Sequence, residues 1–599
     1  MKLEDYGFIG DRHTGALVGR NGSIDWLCLP RFDAEACFCA LLGTEHNGHW
    51  RIGPRGKVRS AVQHYRGETL VLETIFETET GRARLIDFMP TNGGRSDVVR
   101  IVEGIEGRVE MELKLVARFD YGVTVPWVKR SREALTGIAG PNALVLRSEV
   151  PTYGKDLSTR AEFEVGAGER KSFVLSWHPS HEEAPAALEA EKALRETENF
   201  WREWAGRCEL QGDYRDAVVR SLITLKALIY APTGGMVAAL TTSLPEWIGG
   251  VRNWDYRYCW LRDATFTLYA FLLSGYKEEA QAWSNWLLRA VAGDSGQLQI
   301  MYGVAGERRL KELELKFLPG YENSAPVRVG NAASEQFQLD VYGEMMGAMY
   351  LARQMKIDFD PDYWHLERHL VEFVEENWMK PDDGIWEIRG RRRHFTHSKV
   401  MAWVAVDRGI RAVEEFGLEG PVERWRAVRD TIHAEVCAQG YDAKRGAFTQ
   451  TYGSDQLDAA LLMMPLVGFL PVTDERVRAT IERIEEELIF DGFVARYHPK
   501  DSGGVDGLPP GEGTFLPCSF WMVDCYHLLG REEDARRLFQ RLLDVRSKLG
   551  LVSEEYATKE RRLVGNFPQA FTHVGLINTA HNLSTPTGPA RHRGVRRAP

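Results

Sequence analysis

Two periodicities divide the chain. Up to about residue 180, apolar and polar positions alternate with period two in short runs, as at 69–78 (TLVLETIFET) and 83–88 (ARLIDF). Gly/Asn/Pro clusters such as 90–94 separate these runs, the pattern of half-buried strands joined by turns. Similar strands fit 98–103, 109–117, 143–148 and 172–176, and an antiparallel β-sandwich over 1–180 is the economical reading. The segment 186–204 is then rich in Glu and Ala, lacks Gly and follows Pro185, which predicts a helical connector within 181–212.

From 213 to 584 a helical period dominates. Gly, Pro or Asp punctuation bounds twelve candidate helices, near 213–232, 262–275, 277–293, 333–355, 361–378, 396–416, 419–439, 455–468, 474–488, 515–530, 531–546 and 568–583. Twelve helices in hairpin pairs make a double ring of six inner and six outer helices, an (α/α)6 barrel. Inner helices should be apolar all round, as 457–470 and 515–529 are, and outer ones charged on one face, as 474–488 is. Linkers at 233–261, 293–333, 379–395, 490–514 and 547–567 are long for a compact domain, and such loops usually carry function. The Pro/Gly/Arg-rich tail 585–599 is expected to be disordered.

At roughly 150 residues per domain, 599 residues would make about four domains; the pattern reduces this to two and a connector. With 44% hydrophobic and 27% charged residues, the composition is that of a soluble globular protein. The net charge of −10 and the lack of a basic stripe before the terminus speak against nucleic acid and anionic membranes as partners. The start MKLEDYGFIGDRHTG lacks the apolar run of a signal peptide. The longest apolar stretch, 457–472, is broken by Asp458, Pro465 and Pro471, short of a membrane span. Eight scattered cysteines without a CxxC pair read as reduced thiols and, with the missing signal, as a cytoplasmic location. Homo-oligomerisation is left open. Aromatic residues reach 11%, with 17 Trp; they can fill a core, but flat rings also stack on the C–H faces of sugars.

Three segments concentrate chemistry. NWDYRYCWLRDA (253–264) sets four aromatics, two acids and two arginines before an apolar helix. Arg262 and Asp263 there suit vicinal sugar hydroxyls, and Tyr256 and Trp260 a pocket wall, although Asp263 would also be an ordinary first-turn carboxylate. In DGIWEIRG (383–390), Glu387 follows Trp386, and a carboxyl desolvated beside an indole has its pKa raised into the range of a general acid. The paired acids Glu554 and Glu555 precede a Gly/Asn/Pro turn and the last helix, where a ring of helices would close. No GxxxxGK[ST], GxSxG or HExxH motif occurs, and His397 has no companion with ligand spacing, so neither metal nor cofactor is expected. What remains is a pair of carboxylates in an aromatic, arginine-rich setting, the minimal machinery for hydrolysing a glycosidic bond.

Together with GFVARY (492–497), VSEEY (552–556), GNFPQAFTH (565–573) and the opening DYGFIGDRHTGALVGRNGSIDWLCLPRFD (5–33), these segments resemble glycoside hydrolase family 15, the glucoamylase, glucodextranase and trehalase family, in its prokaryotic branch. The resemblance covers almost the whole chain. It implies a β-sandwich, a linker helix and an (α/α)6 barrel that cleaves α-glucosidic bonds with inversion. Position by position, it implies that Glu387 is the general acid of a Trp-Glu motif and Glu554 the general base of a Ser-Glu-x-Tyr motif. It likewise makes Tyr256, Arg262, Asp263 and Arg496 ligands of the non-reducing glucose. Two departures from the fungal pattern stand out: Ile388 where a second acid follows the catalytic Glu, and Ala557 where an Asp follows the tyrosine of the base motif. GNFPQAFTH and 301–315 look closer to prokaryotic trehalases and α-glucosidases.

The expectation is therefore an exo-acting, inverting α-glucoside hydrolase that releases β-glucose, of trehalase or short-α-glucoside type. Its acid and base should stand about 6.5–9.5 Å apart, leaving room for a water. A disaccharide phosphorylase, which would need no Glu554, and a non-catalytic sugar-binding protein are the rival readings.

Overall fold

The computed structural model describes the chain apart from residues 92–93, 133, 292, 294, 358–361, 499–505, 510, 586–587, 589 and 591–599 and the side chains of 264, 265, 295 and 362. The tail expected from 585 lies mostly outside the described residues.

The first 180 residues form antiparallel sheets that share one strand, Asp97–Val116. Its first half pairs with Gly81–Phe88 and Arg170–Pro179, and its second half with His49–Pro54 and Ser158–Gly166. Sequence pattern predicts two strands here, because the polar, glycine-containing middle GIEGR reads as a turn. It is instead a bend inside one strand. At Gly107, φ is +63°, and a Cβ would stand 2.2 Å from the Thr80 carbonyl oxygen, so only glycine lets the strand pass between sheets. The inner faces bury Phe8, Trp26, Trp50, Leu85, Met111 and Phe173.

A helix α1 (Ala190–Ala205) follows, buried along Ala193, Leu194, Thr197, Trp201 and Trp204. Among the described residues twelve helices come next: α2 (Arg215–Leu228), α3 (Leu261–Leu273), α4 (Lys277–Val291), α5 (Asp340–Gln354), α6 (Asp362–Asn377) and α7 (Thr396–Phe416). The second half comprises α8 (Val422–Gln439), α9 (Met463–Leu466), α10 (Glu475–Leu488), α11 (Leu516–Leu528), α12 (Glu532–Asp544) and α13 (Ala570–Ser584). Each predicted helix has its counterpart. Two are shorter than their periodicity suggests: α5 starts only at Asp340, and α9 is one turn extending a 3-10 turn, Ala459–Leu462, capped by the Asp458 side chain.

The odd-numbered helices α3, α5, α7, α9, α11 and α13 contact one another in sequence and close into a ring, since α13 returns to α3. They are buried on nearly all sides. The even-numbered helices lie outside; α10 and α12 bury one stripe each, Val477/Ile481/Ile484/Leu488 and Ala535/Leu538/Phe539/Leu542. The exception is α2, buried almost throughout because the sheets cover its outer side: Arg220 donates to the Thr69 and Gly67 carbonyls and stacks over Tyr65 at 4.0 Å. In this ring, the long segments that lead into α3, α5, α7, α11 and α13 all arrive at the same end. No described helix is long and apolar enough to cross a membrane.

Candidate active site

Those five segments line or back one narrow cavity. Its walls are Glu246, Arg252, Trp254 and Tyr256 from the first, Asn331 from the second, Ile385, Trp386, Glu387 and Arg389 from the third, and Arg496, Asp506, Leu508 and Phe515 from the fourth. Arg262 and Phe571 add to the wall from α3 and α13. The fifth segment contributes Glu554 and Glu555 just behind it.

Glu387 lies in a tight turn in which its own N–H donates to the Gly384 carbonyl, and its φ is +56°, left-handed backbone rare for a side-chain-bearing residue. That conformation turns its carboxyl away from its neighbour Trp386. The indole that meets it is Trp260, whose Nε1–H donates to Glu387 Oε1 at 2.7 Å, while Arg262 approaches the same oxygen at 3.5 Å. Burial pushes the Glu387 carboxyl above its usual range, against the pull of Arg262 and of the Trp260 hydrogen bond. The direction agrees with the expectation from the Trp-Glu pair, but the indole is a different one.

Trp386 instead faces the cavity, with its Nε1–H bonded to both oxygens of Asp458 at 3.0 and 2.9 Å. Asp458 is further held by Gln450 and by the Ala460 N–H, and burial lifts it to about 6. Phe515 meets Trp386 edge-on at 5.7 Å, and the Arg496 guanidinium lies 5.8 Å from its ring. Trp254 is gripped between Arg328 and Arg389, each 4.6 Å from the ring, and donates to Glu246 Oε1.

Glu554 is fully buried. Its Oε2 accepts from the Asn566 N–H at 3.2 Å, and Oε1 has no hydrogen-bond partner. Burial and the nearby Glu246 carboxylate push it up to about 8, while Arg496, Tyr256 and Asn566 favour its ionised form. Burial, with the Glu554 and Glu387 carboxyls nearby, pushes the Tyr256 phenol well above its usual range.

Of the sequence-predicted residues, the structure sets Tyr256, Arg262, Trp386, Glu387 and Arg496 on the cavity wall, with Trp260, Asp263 and Glu554 behind it. Asp263 accepts from Arg262 Nε at 3.0 Å, and Arg262 also donates to the Ile385 carbonyl, so Asp263 aims the arginine. Arg496 is not a free arginine. One terminal nitrogen donates to Glu246 and Glu512 at 2.8 Å and to Glu555 at 2.9 Å. Arg252 adds bonds to Asp506 at 2.5 Å and to Glu512 at 3.4 Å. Among the described residues, Glu246, Glu512 and Glu555 form the group with oxygens spaced to hold a metal, and the Arg496 guanidinium already sits on all three.

Sequence reasoning does not reach Glu246, Arg252, Asp506 or Glu512. Their one signal is membership of the long linkers 233–261 and 490–514. Ile388, standing where the fungal pattern has an acid, is buried and offers only its carbonyl, to Gln336.

Residues 212–581 match the profile of glycosyl hydrolases family 15, and residues 1–201 that of the trehalase-like N-terminal domain. The chain is 38% identical to a trehalase of Mycolicibacterium smegmatis, covering 99% of this chain and 93% of that protein. It is 37% identical to a trehalase of Mycobacterium tuberculosis, covering 96% and 88%. A crystal structure of a bacterial glucoamylase complexed with acarbose shares the fold across 100% of this chain and 97% of its own, with a TM-score of 0.73 at 13% identity. The matched profiles and the near-complete coverage of these relatives lead to one conclusion: the chain belongs to glycosyl hydrolases family 15.

Proposed function

We propose that this protein hydrolyses an α-glucosidic bond with inversion, with trehalose as its substrate. The observation that carries the chemistry is the environment of Glu387: a half-buried carboxyl on the cavity wall, raised by burial and oriented by Trp260 and Arg262. In that setting a protonated Glu387 donates to the glycosidic oxygen as the bond breaks. Glu554, ionised, takes a proton from a water that attacks the anomeric carbon from the opposite face; Tyr256, Asn566 and Arg496 favour its charged form. No cofactor enters, because acid and base supply both proton transfers. Arg262, aimed by Asp263, takes sugar hydroxyls, and Trp386, Tyr256 and Phe515 wall the ring. Arg496, held by three carboxylates through Nε and one terminal nitrogen, sets the charge around the base.

Trehalose is favoured because the similar proteins, aligned over almost their full length, are named trehalases. A cytoplasmic setting fits a short intracellular glucoside better than starch. Glucose release from trehalose, maltose, isomaltose and a maltooligosaccharide series tests the substrate. Trehalose should be turned over fastest; a rate order led by the oligosaccharides would replace it. Glu387→Gln and Glu554→Gln should each lower kcat by about 10²-fold or more with little change in substrate binding. Near-normal turnover in either variant would overturn its role.

A further inference from the structure

One end of the sheet region carries a surface that the active site does not use. Two edge strands meet there. Trp127–Arg130 pairs, among the described residues, only with Leu135–Ala139, and Tyr153–Lys155 only with Ser158–Gly166. Both leave an unpaired backbone edge outward. The two segments stand side by side, since Arg130 donates to the Thr152 carbonyl at 2.8 Å. Of the fourteen large apolar residues exposed among the described residues, six cluster on them: Val123, Val125, Trp127, Val128, Tyr153 and Leu157. Trp127 is 63% exposed and Leu157 72%. Isolated exposed apolar residues need no explanation; six on one tip do.

Between the segments opens a cavity of ≈ 420 Å³ running into the sandwich, lined by Leu115, Leu135, Leu144, Leu146 and Leu175. Arg118 also lines it. That residue is only 7% exposed and bonds to the Ala117 and Leu157 carbonyls, and burial is the one influence on its charge. No described carboxylate lies within ion-pair distance. Around the mouth, 118–132 and 152–158 hold five cations, Arg118, Lys129, Arg130, Arg132 and Lys155, against Asp120, Asp156 and the neighbouring Glu162, which accepts from the Tyr153 hydroxyl at 3.2 Å, with Glu133 next in sequence to Arg132. On a chain of net charge −10, this tip is locally basic.

From this juxtaposition we infer that the tip docks on an anionic phospholipid surface. Exposed aromatic and aliphatic side chains on protruding hairpins enter the acyl boundary, and Lys and Arg around them meet the phosphates. Arg118 supplies the buried cation for a headgroup at the cavity mouth. A second copy of the chain fits less well, because a two-fold contact would set the same cations against each other. A sugar fits less well too: the Lys129 ammonium covers the Trp127 ring at 4.3 Å, and leucines dominate the inner lining of the cavity. The proposal reverses, for one local surface, the expectation drawn from net charge.

Flotation of the full chain with vesicles tests it. Binding to vesicles of phosphatidylcholine with phosphatidylserine is expected, with little to phosphatidylcholine alone and loss at about 1 M salt. The double variants Lys129→Glu/Arg130→Glu and Trp127→Ser/Leu157→Ser, all at exposed positions outside the lining of the glycosidase cavity, should each lower vesicle binding on the order of tenfold or more while hydrolysis stays unchanged. No binding to anionic vesicles, binding that ignores charge and salt, or a solution dimer broken by Trp127→Ser/Leu157→Ser would each overturn it.

Discussion

Glu387 holds a left-handed backbone conformation that costs on the order of 1–3 kcal/mol, and the strain places its carboxyl under the Trp260 N–H instead of beside Trp386. That hydrogen bond favours the ionised carboxyl, so it works against burial. Trp260→Phe removes the donor, and the Glu387 pKa should rise further. In the proposed role Glu387 acts protonated, so the limb of the kcat/KM profile on which it titrates should move up by about one pH unit. An unmoved limb would mean that the indole does not tune the acid. As the proposed base, Glu554 has the opposite requirement: pushed up to about 8, it gains its ionised form as pH rises toward that value. Sequence singles out Glu387 and Glu554 but not the groups they meet. Trp260 lies 127 positions from Glu387, and Arg496 lies 250 from Glu246. Contacts at such separations leave no trace in local pattern, whereas adjacency to Trp386 is visible and misleading.

At the level of elements, the helices pattern well because each buries a defined stripe or its whole surface, and each of the twelve that periodicity predicts has its counterpart among the described residues, six in the inner ring and six outside it. Where propensity and tertiary demand part, the ends move: α9 shrinks to one turn because Pro465 and the Asp458 cap confine it. Asp458 links this short element to the site, since the same carboxylate caps the turn through Ala460 and holds the Trp386 indole. Asp458→Ala should cost about 2–4 kcal/mol from a lost cap and an orphaned indole N–H, measured by denaturant unfolding. It should raise KM more than it lowers kcat if, as proposed, the Trp386 face of the cavity walls the sugar. Asp458→Asn, which keeps an acceptor, should recover most of both. An unchanged KM in the alanine variant would separate Asp458 from the site. The long linkers were legible as functional segments by their length alone, but the order in which they interlock was not.

Across the whole molecule, sheets and ring share a continuous core, and Arg257 marks the seam. It is fully buried, pairs with Asp255 at 2.6 Å in the segment that carries Tyr256, and donates to the Ala34 carbonyl and the Tyr121 hydroxyl of the sheet region. Asp255 in turn accepts from the Gly330 N–H. Arg257→Met would leave the Asp255 charge buried and unpaired, a loss of about 3–5 kcal/mol. Activity should fall with stability, because the same carboxylate anchors two segments of the cavity wall. A variant of native stability would show that the seam contributes nothing to holding the site. The composition pointed to several domains and the periodicity to two; neither shows that the sheet region closes over α2 and braces the site from behind.

The stereochemistry of the first products bears on acid, base and ring together. Trehalose joins two α-glucosyl units through one oxygen, so inversion at the attacked carbon yields β-glucose from one half, while the other half leaves as α-glucose. Proton NMR during the first turnovers, before mutarotation, should show the two anomers in equal amounts. If both halves appear as α-glucose, the reaction retains configuration, Glu554 does not activate the water, and the acid–base pair assigned here is wrong.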